Sequence, residues 1–153
     1  MEGVRPAEPA DRPACDELLS AALAHTQTMR GGATLAGPVT ASELLERWCA
    51  PDSGVALFVG VFQEAVVGLL AVTTFTRPGA TAPSGRVECC YVEEAARGVG
   101  VGSALMDAAL DWCGQRECLD IDARALPGDR ATKQRLEAAG FTARLLTLNR
   151  RLR

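Results

Sequence analysis

The chain has 153 residues and a mass of 16.1 kDa, with 48% hydrophobic and 23% charged residues, which suits one folded domain, 1–153, and excludes a disordered chain or a disulfide miniprotein. A formal charge of −3 leaves no broad basic face, so nucleic acid is not the expected partner. No apolar run approaches the ~20 residues that span a bilayer, and Met1–Pro6 lacks the layout of a secretory leader, so a cytoplasmic protein without a membrane partner is expected.

Val4-Arg5-Pro6 suits a short edge strand, and Asp11 is placed to cap a helix that carries Cys15, Leu18, Leu19 and Ala22 on one face and stops before Gly31-Gly32. Thr40-Ala41-Ser42-Glu43 reads as a capping box opening a second helix with Leu44, Leu45 and Trp48, closed by the turn residues of 51–54. The stretches 55–61 and 66–76 are rich in Val, Leu, Phe and Thr about Gln63-Glu64, as an antiparallel hairpin requires. After a loop at 77–85, residues 86–92 read as a further strand, followed by a short acidic link and a glycine-rich turn. Val101, Ala104, Leu105, Ala108, Ala109 and Trp112 then keep strict helical spacing. Residues 119–126 alternate apolar and polar as a strand, Asp129 caps a last helix that Gly140 ends, and 141–148 reads as a terminal strand. The sum is an α/β (α+β) fold with a mixed sheet.

Six cysteines form no C-x-x-C pair and lie mostly in apolar stretches, so reduced, buried thiols are expected rather than disulfides or a metal centre. His25, the single histidine, falls in a polar segment between helices, as a solvated loop residue or one lining a pocket. With one imidazole, a Ser-His-Asp or Cys-His hydrolase has little support.

The informative segment is Arg97-Gly98-Val99-Gly100-Val101-Gly102-Ser103, between a strand and the start of the most regular helix. Glycines let several N–H groups converge on an anion at the positive end of a helix, and a diphosphate suits such a place. The spacing is neither that of a P-loop nor of the dinucleotide-binding G-x-G-x-x-G, and a tight turn that merely lets the helix pack is the competing reading.

At these residues the chain resembles the GNAT superfamily of acyl-CoA-dependent N-acetyltransferases, whose central motif Gln/Arg-x-x-Gly-x-Gly/Ala stands here as Arg97-x-x-Gly100-x-Gly102. Residues 90–98 are similar to the strand end that precedes that motif, with Glu94 in place of the usual proline, and Ala139-Gly140-Phe141 is similar to the closing Gly-Phe signature. The resemblance implies a mostly antiparallel sheet of about six strands flanked by four helices, with a central parallel pair, 86–92 and 119–126, that splays open to take acetyl-CoA. It implies pantetheine contacts at Tyr91, Val92 and Glu93, and diphosphate contacts at Arg97, Gly98, Val99, Gly100, Val101, Gly102 and Ser103. A backbone N–H near Val92 would polarise the thioester carbonyl. Asp129 stands where relatives often place an asparagine near the pantetheine arm, though capping explains it equally, and Lys133 would meet a CoA phosphate or solvent.

The activity implied is acetyl transfer to a primary amine by direct attack. Glu88, on the cleft strand, is the candidate base, because the attacking amine must be neutral. A solvated or ion-paired strand carboxylate, with Arg86 as one partner, is its bland alternative. Acidic Glu88, Asp120 and Asp122 hint at a cationic acceptor, held by segments 25–39 and 77–85. The tyrosine that many relatives use to protonate the leaving thiolate is replaced by Leu136, which keeps open a second reading, an acyl-CoA-binding module without turnover. A single terminal strand leaves a sheet edge that a second copy would complete, so a homodimer is also expected. No metal is expected.

Overall fold

The hydrophobic runs of the middle of the chain form the centre of a five-stranded sheet in the order β1-β2-β3-β4-β5. The strands of the computed structural model, which describes residues 3–32 and 40–153, are β1 (Gly3–Pro6), β2 (Val55–Phe62), β3 (Ala65–Phe75), β4 (Ser84–Val92) and β5 (Ile121–Asp122). All pairings are antiparallel except β4 with β5, the ends of a parallel crossover through a helix. Gln63 and Glu64 turn the β2–β3 hairpin with φ of 48° and 65°, the hand that matches strand twist.

Four helices, α1 (Arg12–Thr28), α2 (Ala41–Cys49), α3 (Val101–Gln115) and α4 (Arg130–Ala138), cover the two faces of this sheet. On one face Cys15, Leu18 and Leu19 of α1 and Leu44 and Leu45 of α2 pack on Leu57, Val59, Leu69 and Ala71. On the other, Leu105, Met106, Ala109 and Cys113 of α3 and Leu136 of α4 pack on Phe58, Leu70, Val72, Val87 and Val92. With both faces covered, β3 reads as an unbroken apolar run rather than an alternating one.

The Thr40 capping box forms as expected: Glu43 N donates to Thr40 Oγ1 at 3.2 Å, and Thr40 N donates to Glu43 Oε2 at 2.7 Å. Asp11 corrects an expectation. Its carboxylate accepts from Arg5 at 2.6 and 2.9 Å and from Glu8 N at 2.7 Å, so it ties β1 to the entry of α1 and makes no side-chain cap. The Arg5 guanidinium holds that carboxyl below the usual carboxylate range, against the opposing effect of burial.

Two expected strands are cut short. Of residues 119–126 only Ile121 and Asp122 pair, with Gly85 and Arg86, because β4 and the chain after β5 diverge beyond that point. Residues 141–148 form no strand among the described residues, giving five strands where about six were expected. A two-residue β5 offers almost no ladder for a further strand, and Leu145, Leu146 and Leu148 stay exposed. Cysteines are free, with Cys89 and Cys90 on opposite faces as a strand demands, but Cys49 is exposed rather than buried.

Candidate acetyl-CoA cleft

From Val87 to Val92 no strand pairs with the β5-facing edge of β4 among the described residues. Backbone groups of an antiparallel strand alternate between its two edges. Glu93 N donates to Val67 O of β3 at 2.9 Å, so Val92, one residue earlier, turns its N–H and C=O away from β3 and into the opening. Cys90, opposite Leu70, faces the same way by the same alternation. The Glu93 amide is thus committed to β3, and by the same alternation the Tyr91 backbone also turns toward β3. The carbonyl of Val92 accepts from Arg97 Nε at 2.9 Å, which pins the Arg97 side chain across the mouth of the opening, with its guanidinium 5.7 Å from the Tyr91 ring.

At that mouth the chain makes one 3-10 turn at Glu94–Ala96, anchored by buried Ala96, and enters the glycine turn. Gly98 and Gly100 have φ of 85° and 90°, a region closed to most side chains, and Gly100 is the N-cap of α3. Val101, Gly102 and Ser103 supply the first N–H groups of that helix, which have no partner within it. A Cβ built on Gly98 or Gly100 would meet nothing within 4 Å among the described residues, which leave the outer side of the turn uncovered. The turn thus lies between the end of β4, whose β5-facing edge pairs with no strand beyond Arg86 among the described residues, and the first turn of α3.

Near Arg97 lies a hollow of about 440 Å³ lined by His25 of α1, by Arg30 just beyond that helix, by Arg97, and by Asp129 and Arg130 at the start of α4. His25 belongs to the last turn of α1 rather than to a loop, and its ring meets the edge of Tyr91 at 6.1 Å. Asp129 Oδ1 accepts from Thr132 N at 3.0 Å, so capping is its observed role. Lys133 faces solvent with Glu137 at 4.0 Å.

Glu88 stands at a bulge where the β3–β4 register shifts between Ala71 and Val72. A bulge re-aims one side chain. Here the half-buried carboxylate accepts from Thr73 Oγ1 at 2.8 Å. Arg86 does not pair with it but lies 4.1 Å over the Phe75 ring. Asp120 and Asp122 are not free to attract a cation either, because Arg77 Nη2 approaches them at 3.6 and 2.9 Å. Of the expected acceptor segments, residues 33–39 lie outside the described residues.

The thiols of β4 are poor nucleophiles. Burial pushes Cys89 up to about 12 and raises Cys90 despite the nearby Arg135 guanidinium. Leu136 is buried against the core, so the α4 position that relatives give to tyrosine donates no proton. One residue earlier, Arg135 lies across the first turn of α3, a placement that no periodicity or spacing announces.

Residues 23–141, more than half of the chain, match the family described as the acetyltransferase (GNAT) family. The chain belongs to this family. GNAT acetyltransferases are acyltransferases that use acetyl-CoA, and the open glycine turn with the unpaired β4 edge fits such a molecule. Solved structures agree on the fold. A ribosomal-protein-alanine N-acetyltransferase from Brucella melitensis biovar Abortus 2308 is 18% identical over 97% of this chain and 99% of its own, with a TM-score of 0.70. An acetyltransferase from Clostridium acetobutylicum, solved with acetyl-CoA, is 16% identical over 97% and 96%, with a TM-score of 0.71. An aminoglycoside acetyltransferase from an uncultured soil metagenomic sample, in complex with sisomicin, is 12% identical over 98% and 95%, with a TM-score of 0.71. No curated protein sequence matches this GNAT chain. Among its described residues, no group of three His, Cys, Asp or Glu side chains is placed to hold a metal, and no helix is long and apolar enough to cross a membrane.

Proposed function

We propose that the chain works as one cytoplasmic domain that moves an acetyl group from acetyl-CoA to a primary amine of a small molecule or peptide, by direct attack in a ternary complex. The observation that carries this reading is the splay of β4 from β5 beside an uncovered glycine turn. The amide of Val92 faces the opening and is positioned to stabilise the oxyanion of the thioester carbonyl, while Tyr91 and Val92 border the pantetheine arm. An N–C bond forms and the C–S bond breaks. Glu88, directly or through one water, takes the amine proton, and the thiolate takes a proton from solvent or from the tetrahedral intermediate. The raised thiols of Cys89 and Cys90 favour direct transfer over an acetyl-cysteine intermediate.

The names of the relatives point to different acceptors, a ribosomal-protein alanine and an aminoglycoside, so the acceptor is defined here only as a primary amine. An amine screen that follows CoA release tests the activity. Glu88→Gln is expected to lower kcat by about a hundredfold or more, the range for a lost general base. An unchanged kcat and pH profile would exclude Glu88 as the base. Buried Leu136 favours a second reading, a module that holds acyl-CoA without turnover; tight acetyl-CoA binding with no CoA release on any amine selects it.

The proposal includes a homodimer. Residues 141–153 leave four leucines, Leu145, Leu146, Leu148 and Leu152, at 74% exposure or more, next to a sheet that ends on a two-residue strand. Light scattering is expected to give twice the chain mass, and a monomer mass at working concentration removes this part.

A further inference from the structure

We propose that Arg135 is a side-chain ligand for the diphosphate of the coenzyme, and that position 102 is glycine because this arginine must lie across it. The inference rests on the acetyl-CoA reading above and adds to it a residue outside the glycine turn.

Arg135 is half-buried in α4, and no carboxylate lies within ion-pair distance of it among the described residues. Among the described residues its one polar contact is from Nη1 to the Cys90 sulfur at 3.8 Å, a weak acceptor for a group with five N–H donors. Among the described residues Arg5 is bound by Asp11 and Arg77 by Asp122, Arg86 stacks on Phe75 and Arg116 on Trp112, whereas exposed Arg12, like half-buried Arg135, meets only a cysteine sulfur. A Cβ at Gly102 would stand 3.0 Å from Arg135 Nε and 3.1 Å from its Cζ, so the guanidinium lies flat on the first turn of α3 and reaches from there to β4.

That position is electrostatically unfavourable as it stands. The N-terminal end of α3 carries partial positive charge, and a cation laid over it gains nothing from the helix. An anion between the two reverses the sign of both interactions. A guanidinium fork matches phosphate oxygens, and Arg135 lies on the same first turn of α3 whose N–H groups have no partner within the helix. A carboxylate acceptor would use only part of this arrangement, whereas a diphosphate spans the turn amides and the guanidinium together.

The test compares acetyl-CoA with S-acetylpantetheine, which has the same thioester and arm but no phosphate, on the full chain by calorimetry and by NMR titration into the millimolar range. Arg135→Gln is expected to weaken acetyl-CoA binding about ten- to a hundredfold, as for a lost hydrogen-bonded charge contact, and to leave S-acetylpantetheine unchanged. Arg135→Lys should recover part of the loss. Gly102→Ala, by crowding Nε, should reproduce the loss in the parent chain but add almost nothing to Arg135→Gln. Equal weakening of both ligands would place Arg135 at the thioester or in the fold and overturn the proposal, as would no weakening of either. Failure of the parent chain to bind acetyl-CoA is a different result, since it removes the acyl-transfer reading itself.

Discussion

Gly100→Val is expected to weaken acetyl-CoA binding on the order of a hundredfold or more, the equivalent of one or two lost amide–phosphate contacts. Two effects act together. Gly100 sits at φ 90°, where a β-branched residue is strained, so the turn would open or shift and its N–H groups would no longer converge. The space beyond its Cα holds no protein atom within 4 Å of a built Cβ, so the new side chain would also project into the opening that the diphosphate needs. Gly79→Val separates the two effects. Gly79 has φ 76° and equally open surroundings, but it belongs to the loop between β3 and β4. Both variants should lose about 1–2 kcal/mol of stability from strain. Only Gly100→Val should lose affinity, and equal binding by the two variants would separate the glycine turn from the coenzyme.

Elements set by local pattern were legible in the sequence. The apolar stripe on α3, the capping box of α2, the Asp129 cap of α4 and the hairpin about Gln63-Glu64 all depend on neighbours within a few residues, and each formed where its spacing put it. What was not legible depends on distant partners. Asp11 looks like a helix cap, but Arg5 on β1 competes for its carboxylate and wins with two charge-assisted contacts. Residues 119–126 alternate as a strand should, yet a strand needs a ladder, and β4 turns away after two pairs. The same divergence that shortens β5 opens the cleft, so the failed part of the strand reading marks the candidate site. Arg135 was invisible for a related reason, because its meaning comes from Gly102 and Cys90, which lie 33 and 45 residues before it in the chain.

Gly60→Val is expected to be the most destabilising of the substitutions considered, by about 3 kcal/mol, the upper range for overpacking. Gly60 on β2 and Gly68 on β3 are cross-strand partners that together form a shallow trough under α3. A Cβ at Gly60 would collide with Val101 Cγ1, and one at Gly68 would stand 3.1 Å from the same methyl and 3.2 Å from Leu105 Cδ1. Helix α3 therefore seats low at its first turn, and this height sets where the glycine turn meets the end of β4. Gly60 has no positive φ, so the penalty comes from the collision rather than the backbone. For a chain of this length the melting temperature should fall by roughly 6–12 °C. The damage should also reach the cleft: the displaced Val101 carries the amides of 101–103 with it, and acetyl-CoA affinity should fall although Gly60 does not border the opening. Val101→Ala removes the methyl that collides, so in the Gly60→Val background it should recover stability and affinity together, whereas in the parent chain the same truncation should destabilise. Strict additivity in this double-mutant cycle would mean that α3 is not held by the trough. Recovery of stability without affinity would mean that the height of α3 does not set the geometry of the turn.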